Sequence, residues 1–414
     1  MREKIKINLE NPERLEALYR DNATHFKQAF NLLYPEISES ATAQCWYARL
    51  NYEEKKISWG TNNDLVFVII SSLVAGLIAK IPDFLALNQD LFFQRNIGFI
   101  VFPLLSIYFA WKHKTSTGKI VIGAVLFLLS AIYVNALPED NQSDTLILAC
   151  IHLPLVLWAT LGFTFIGDNL KSYRHRLDFL RYNGDLLVMT TLILISGALL
   201  VAVTFGLFQL IHLQIEKFYT EYVIVFGLAA SPIFGTYLVQ RNPELVDKVS
   251  PVIAKVFTPL VLITLIAYLI ALVCSGKDPF NDRDFLMIFN FMLIGVMAII
   301  LFASTVTSKN GNGNIGILLL LLLSLVALII NAIALSAIMF RITEGGLTPN
   351  RLAVLGGNVL MLTNLAMVAY RLFRTMRKRD ELDAIGNSIA YFLPIYAVWA
   401  HFMTFVVPVL YHFQ

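Results

Sequence analysis

The chain has 414 residues, 57% of them hydrophobic and 15% charged, with a mean hydropathy of +0.66 and a formal net charge of +3. A soluble chain carries nearer a quarter charged residues, so the composition excludes an ordinary soluble domain and indicates an all-α polytopic integral membrane protein. The small net charge carries no nucleic-acid signal. The odd set Cys45, Cys150 and Cys274, at no metal or redox spacing, excludes a disulfide framework.

Residues 1–62 are hydrophilic and are expected to form a cytoplasmic helical segment. Asn11 and Pro12 make a cap and first-turn pair. Leu15, Leu18, Tyr19, Phe26, Phe30 and Leu33 then recur at helical spacing up to Pro35, which predicts one amphipathic helix over 12–34. A second helix is expected over 40–50, with Trp46 and Tyr47 on one face. About 60 residues barely bury a core of their own, so this segment is expected to dock on the membrane bundle or to offer its Leu15, Phe26 and Phe30 stripe to a cytosolic protein partner. The first apolar run begins near Leu65, after a charged segment, and has the character of an uncleaved anchor.

Residues 63–414 form the predicted transmembrane domain. Eleven apolar runs approach the length that a ~30 Å hydrocarbon core requires: 65–81, 93–111, 120–136, 145–167, 186–210, 222–238, 256–273, 285–304, 315–340, 352–372 and 389–412. With the N-terminus in the cytoplasm, the cytoplasmic loops hold sixteen Lys and Arg residues and the opposite loops six: Arg95, Lys217, Lys277, Arg283, Arg341 and Arg351. That bias follows the positive-inside rule and puts the C-terminus outside. The loop 168–185 carries Leu177, Phe179 and Leu180 among Arg174, Arg176 and Arg181. It is expected either to lie as an interfacial helix on anionic lipid or to anchor the topology. Residues 371–379 form a basic stub. Asp185-Leu-Leu-Val-Met and Asp284-Phe-Leu-Met-Ile open two spans from opposite faces, the pattern of an inverted repeat. Gly227, Ser231 and Gly235 beside Pro232, and Ser72 with Gly76, are small-residue steps that allow close helix approach.

The chain has no phosphate-binding loop, zinc-protease helix or nucleophile elbow, and its histidines do not cluster at ligand spacing. No cofactor and no metal are expected. No charged residue lies near the middle of a run, which argues against a carboxylate relay pump. His401 lies deep in the last span between Pro394 and Pro408. His152, Asn290, Asn331 and Asn358 fall in the outer half of their spans, with Asn364 deeper. If their faces converge they line a polar vestibule; otherwise each bonds to a neighbouring helix.

The polar stretch between the ninth and tenth runs, Arg341-Ile-Thr-Glu-Gly-Gly-Leu-Thr-Pro-Asn-Arg351, lies above that vestibule. Arg341 suits a helix C-terminus, Gly345 and Gly346 permit a reversal, and Thr348 and Pro349 suit an N-cap and first helical position. Arg351 falls in the first turn of the next helix, where the dipole disfavours a cation. It requires an anion: Glu344, lipid phosphate or a ligand. The candidate ligand-binding residues are therefore Arg341, Glu344, Thr348, Asn350, Arg351, His152, Asn290, Asn331, Asn358 and His401.

Arg341, then Gly346-Leu347-Thr348, then Arg351 resemble the signature of an uncharacterised family of bacterial polytopic membrane proteins, a domain of unknown function. That family carries an arginine, a short gap, Tyr-Gly-Leu-Thr and a second arginine between two late spans. Gly345 stands here at the tyrosine position. The run Asn11-Pro-Glu-Arg-Leu-Glu-Ala-Leu-Tyr19 is also similar to members from Bacteroidetes-type bacteria. The resemblance implies a bacterial inner-membrane protein and brings no activity. Three functions stay open: binding or transport of a small solute or lipid headgroup at the vestibule, an enzyme acting on a lipid-linked substrate with Glu344 or His152 as base, and a sensor or scaffold recruiting a cytosolic partner.

Overall fold

The computed structural model describes residues 1–50, 62–140, 143–210, 214–241, 257–270, 274, 289–290, 292–300, 314–377 and 383–413. Met1–Ser58 and Trp59–Gln414 are two compact units.

The first unit is built from α1 (Arg2–Ile7), α2 (Pro12–Asp21), α3 (Ala23–Ile37) and α4 (Ala41–Leu50). The single helix expected over 12–34 is broken at Asn22, whose side chain accepts from the His25 amide and caps α3. Asn11 caps α2 in the same way, with Pro12 at the first position. Pro35 does not end its helix: it sits in the last turn of α3, where its missing N–H removes one bond close to a terminus. Leu15, Phe26 and Phe30 are fully buried, and the Phe26 and Trp46 ring centroids are 5.2 Å apart. The apolar stripe is thus this unit's own core, with each phenylalanine contributing roughly 2–3 kcal/mol of burial. Trp46 and Tyr47 part company because successive helical positions lie 100° apart. Trp46 faces inward, while Tyr47 turns out and stacks on Tyr34 with centroids 3.7 Å apart.

Arg49 lies over the Trp46 ring at 4.6 Å and donates to both Glu16 oxygens at 2.8 and 3.3 Å. Arg20 donates to the same carboxylate at 2.9 Å. The hydrogen bonds from Arg20 and then Arg49 hold the Glu16 carboxyl below its usual value of 4.5. A depressed carboxylate stabilises the fold above the unfolded value and ceases to do so as pH falls through the folded one. Amide-exchange protection of α2 and α4 in the intact chain is therefore expected to fall as pH drops below about 4.5. Glu16→Gln should lower protection at neutral pH and flatten that dependence; an unchanged profile in the variant would contradict the assignment.

The second unit contains α5 (Asn62–Ala79), α6 (Gln89–Lys112), α7 (Thr117–Ala136), α8 (Asp144–Asn169), α9 (Tyr173–Leu210), α10 (Glu216–Arg241), α11 (Phe257–Ile270), α12 (Asn314–Gly345), α13 (Pro349–Met376) and α14 (Ala384–Leu410). The described residues form no strand. Among the described residues eight of these helices are long and apolar enough to cross a membrane; α5 and α11 are shorter apolar helices, and the run 285–304 is described only at 289–290 and 292–300. Asp284, half of the repeat expectation, lies outside the described residues.

The loop expected over 168–185 is largely helical. Residues 173–185 are instead the first turns of the 38-residue α9. No proline or cap interrupts them, and Phe179 and Tyr182 face the core beside Phe165. An early core joins α5, α6, α8, α9 and α10 around Tyr108, Phe109, Tyr182 and Tyr237. A late core joins α11, residues 289–300, α12, α13 and α14. Leu148 of α8 packs with Met403 and Val407 of α14 between the two. Of the small-residue steps, Gly235 makes room for Thr190 and Leu186, and Gly76 for the Phe226 ring, whereas Gly227 faces open space.

Helix ends are tied at two faces. On one, Asp64 at the start of α5 is 1% exposed and pairs with Arg241 at the end of α10 and with Lys112 at the end of α6. Acid at an N-terminus and cations at C-termini each suit the helix dipole. On the same face Lys119 pairs with Asp168 at 3.0 Å and donates to the Gly167 carbonyl at 2.6 Å. On the opposite face Arg95 donates to the Pro138 carbonyl at 2.7 Å, and Asn96 and Asn135 exchange amide bonds at 3.0 and 2.9 Å. Arg176 joins the early and late cores: it donates to the Ala390 carbonyl at 3.2 Å, which Pro394 leaves without a helical donor.

Asp64→Asn leaves two cations facing a neutral group. It is expected to lower unfolding stability by about 3 kcal/mol, the lower part of the range for breaking a buried pair, because both cations retain some solvent. Thermal unfolding of the purified protein measures this; a variant that melts with the wild type would remove Asp64 as the tie between these helices.

Candidate functional site

The turn between α12 and α13 is a closed latch. The helix runs past Arg341 and Glu344 to Gly345, four residues beyond the expected end. Gly346, not Gly345, carries the reversal, with φ at +74°, and its amide returns to the Ile342 carbonyl at 2.9 Å. Thr348 caps α13 by accepting from the Arg351 amide at 3.4 Å, with Pro349 in the first turn. Asn350, half-buried, follows it.

Arg351 does not pair with Glu344. Its guanidinium reaches back over the turn and donates to the Gly346 carbonyl at 2.7 Å. It lies so close over Gly345 that a Cβ there would come within 2.6 Å of Nη1. The cation disfavoured at the start of α13 thus serves the negative end of α12. Among the described residues Glu344, exposed, and Arg341, half-buried, make no ion pair. Tyr411 at the end of α14 donates to the Leu347 carbonyl at 3.4 Å, and Ser143 at the start of α8 donates to the Phe413 carbonyl at 2.8 Å.

Both candidate histidines turn onto their own helices. Nδ1 of His152 donates to the Leu148 carbonyl and Nδ1 of His401 to the Ala397 carbonyl, each at 2.8 Å. Each is half-buried and keeps Nε2 free of that bond.

The asparagines behave differently. Asn358, fully buried, donates to Asn290 Oδ1 at 2.9 Å, while its own Oδ1 has no partner. Asn331, also fully buried, has no partner for either amide atom. Asn364, 1% exposed, donates to Tyr396 Oη at 3.1 Å, and its Oδ1 is likewise without a partner. At 1.5 Å per residue, Asn331 lies roughly 21 Å from the Gly345 end of α12 and Asn364 roughly 22 Å from Pro349. The two share one depth on packed antiparallel helices, and Asn358 lies nearer the turn at roughly 14 Å. The extension of α12 to Gly345 moves Asn331 from its expected outer position to the middle of the bundle. Asn364 and Tyr396 were legible only as polar groups in an apolar run; their pairing depends on α13 and α14 being neighbours.

Of the residues considered for anionic lipid, Arg176 is committed to the Leu170 and Ala390 carbonyls and Arg181 approaches Asp178 at 3.5 Å. Arg174 is exposed.

Removing the cap with Thr348→Ala is expected to cost about 1 kcal/mol, and Gly346→Ala about 1–2 kcal/mol because its left-handed conformation penalises a Cβ. Thermal unfolding of each purified variant checks the latch. Wild-type melting in both would mean that the turn is not held by these groups.

No family model, no curated protein and no solved structure matches this chain.

Proposed function

We propose that this is a bacterial inner-membrane protein of eleven spans, with a cytoplasmic N-terminus, that binds or transports a small solute at a vestibule opening on the face of the Arg341–Arg351 turn. The observation that carries this reading is the set Asn331, Asn358 and Asn364: buried amides with free hydrogen-bonding capacity on the packed helices α12 and α13. Buried polar groups are nearly always satisfied, and polar groups inside a membrane domain mark substrate paths. The excess of Lys and Arg in alternate loops supports the orientation. Alternation of the helix-end ties supports one shared face for the turn, the end of α14 and the start of α8. Arg341 and Glu344, unpaired at the surface among the described residues, are suited to a first contact with solute or lipid headgroup. Arg174, exposed in the first turn of α9, is the arginine of that segment available to anionic lipid. The hinge resemblance supports membership of the uncharacterised bacterial family. The enzymatic alternative has less support, since His152 is bonded within its own helix and Glu344 is exposed. The recruiting alternative loses its stripe, because Leu15, Phe26 and Phe30 are internal.

The test replaces Cys45, Cys150 and Cys274 with serine and adds Asn358→Cys. A membrane-impermeant maleimide should label position 358 from the turn side only, more slowly than a Glu344→Cys control. Labelling of the control with none at 358 from either side would sink the vestibule.

A further inference from the structure

We infer that the bonded segments 113–119 and 164–174 present Lys114, Lys171 and Arg174 as one site for the headgroup of an anionic phospholipid. The inference rests on the anionic-lipid reading of Arg174 above and gives that lipid a site built from two connections.

The two segments are tied into one surface. Nδ1 of His113 donates to the Phe165 carbonyl at 2.7 Å. Thr115, buried, donates to the Thr164 carbonyl at 3.4 Å. Ser116 donates to Asp168 at 2.8 Å, and Lys119 reaches both Asp168 and the Gly167 carbonyl. Gly167 lies against Thr115: a Cβ there would stand 3.2 Å from the threonine hydroxyl. The chain then turns, with the Ser172 amide returning to the Asn169 carbonyl at 2.9 Å and Arg176 donating to the Leu170 carbonyl at 2.7 Å. Lys171 is carried on that turn and Arg174 on the first turn of α9 just after it. Lys114 stands between His113 and Thr115, both of which are bonded across to α8.

These bonds use up the acids and leave cations over. Asp168 is taken by Ser116 and Lys119, and Asp178 is approached by Arg181. Asp64, on the same face, is shared by Lys112 and Arg241. Lys114, Lys171 and Arg174 are exposed and make no ion pair among the described residues.

Position selects the anion. The two segments join the ends of helices long and apolar enough to cross a membrane, so they lie at headgroup level. Trp111 and Tyr173, exposed beside them, are of the kind that gathers at that level. Lipid phosphate is the anion concentrated there. A purely topogenic role asks only for cations in a loop; it does not require the two connections to be bonded together or their acids to be paired elsewhere. Each basic residue facing an anionic leaflet strengthens the attraction roughly fivefold, and three together roughly a hundredfold.

The test follows thermal unfolding of the purified full chain in uncharged detergent while phosphatidylglycerol, phosphatidylcholine or inorganic phosphate is added. Phosphatidylglycerol should raise the melting temperature by about 2 °C, and the other two should not. Combining Lys114→Gln, Lys171→Gln and Arg174→Gln should raise the phosphatidylglycerol concentration at half effect by roughly tenfold or more. Lys217→Gln, at the other end of α10 from Arg241, should leave it unchanged. No rise with phosphatidylglycerol, or an equal rise with phosphatidylcholine, would overturn both the site and the lipid reading. A rise that keeps its wild-type midpoint in the triple variant, or that Lys217→Gln weakens equally, would overturn the site and leave the lipid reading standing. A rise with inorganic phosphate, lost in the triple variant, would overturn lipid as the occupant. Should the triple variant fail to accumulate, Lys114→Gln with Lys171→Gln carries the same comparison.

Discussion

The free backbone carbonyl is the group around which this bundle is tied. In an apolar medium an unpaired carbonyl costs several kcal/mol, and this chain creates such carbonyls at helix ends and above prolines. Pro394 frees Ala390, and Arg176 of a different helix fills the place. Pro232 frees Leu228, and Ser231 donates to it at 2.9 Å. Arg351 takes Gly346, Arg95 takes Pro138, Lys119 takes Gly167 and His113 bonds Phe165 at 2.7 Å. Most of these bonds run between elements, so satisfying the backbone also fixes which helices are neighbours. Apolar packing alone does not choose neighbours in lipid, where tails are as apolar as leucine.

That division explains what was legible in the sequence. The positions of eight membrane-length apolar runs, the Thr348–Pro349 start of α13 and the cap at Asn11 are readable, because each is encoded within a few residues. The length of α12 was not: Arg341 looked like a terminus, yet Thr343 and Glu344 extend the helix one more turn until Gly346 ends it. The Asp64 tie was invisible because Arg241 is far along the chain, and nothing local to either marks the other. The break at Asn22 was missed because the apolar stripe continues across it, Leu18 and Phe26 lying on either side.

The same logic relocates the chemistry. Arg351 appeared to need an anion; it found a carbonyl, and the turn became a latch. His152 and His401 likewise settled on carbonyls of their own helices. Charges remain at helix ends, where solvent and dipoles meet them, and the interior of the late half keeps neutral amides. Asn331, Asn358, Asn364 and the Thr404 hydroxyl are buried polar groups there, among the described residues, that the backbone does not absorb. A buried amide left open is costly, so these positions are where a guest gains most from binding.

The most direct measurement is an experimental structure of the full chain in a lipid nanodisc, at a resolution that shows ordered small molecules. The expected result is non-protein density within hydrogen-bonding distance of the side-chain amides of Asn331 and Asn364. A dry interior, with both amides bonded to neighbouring helices, would contradict it.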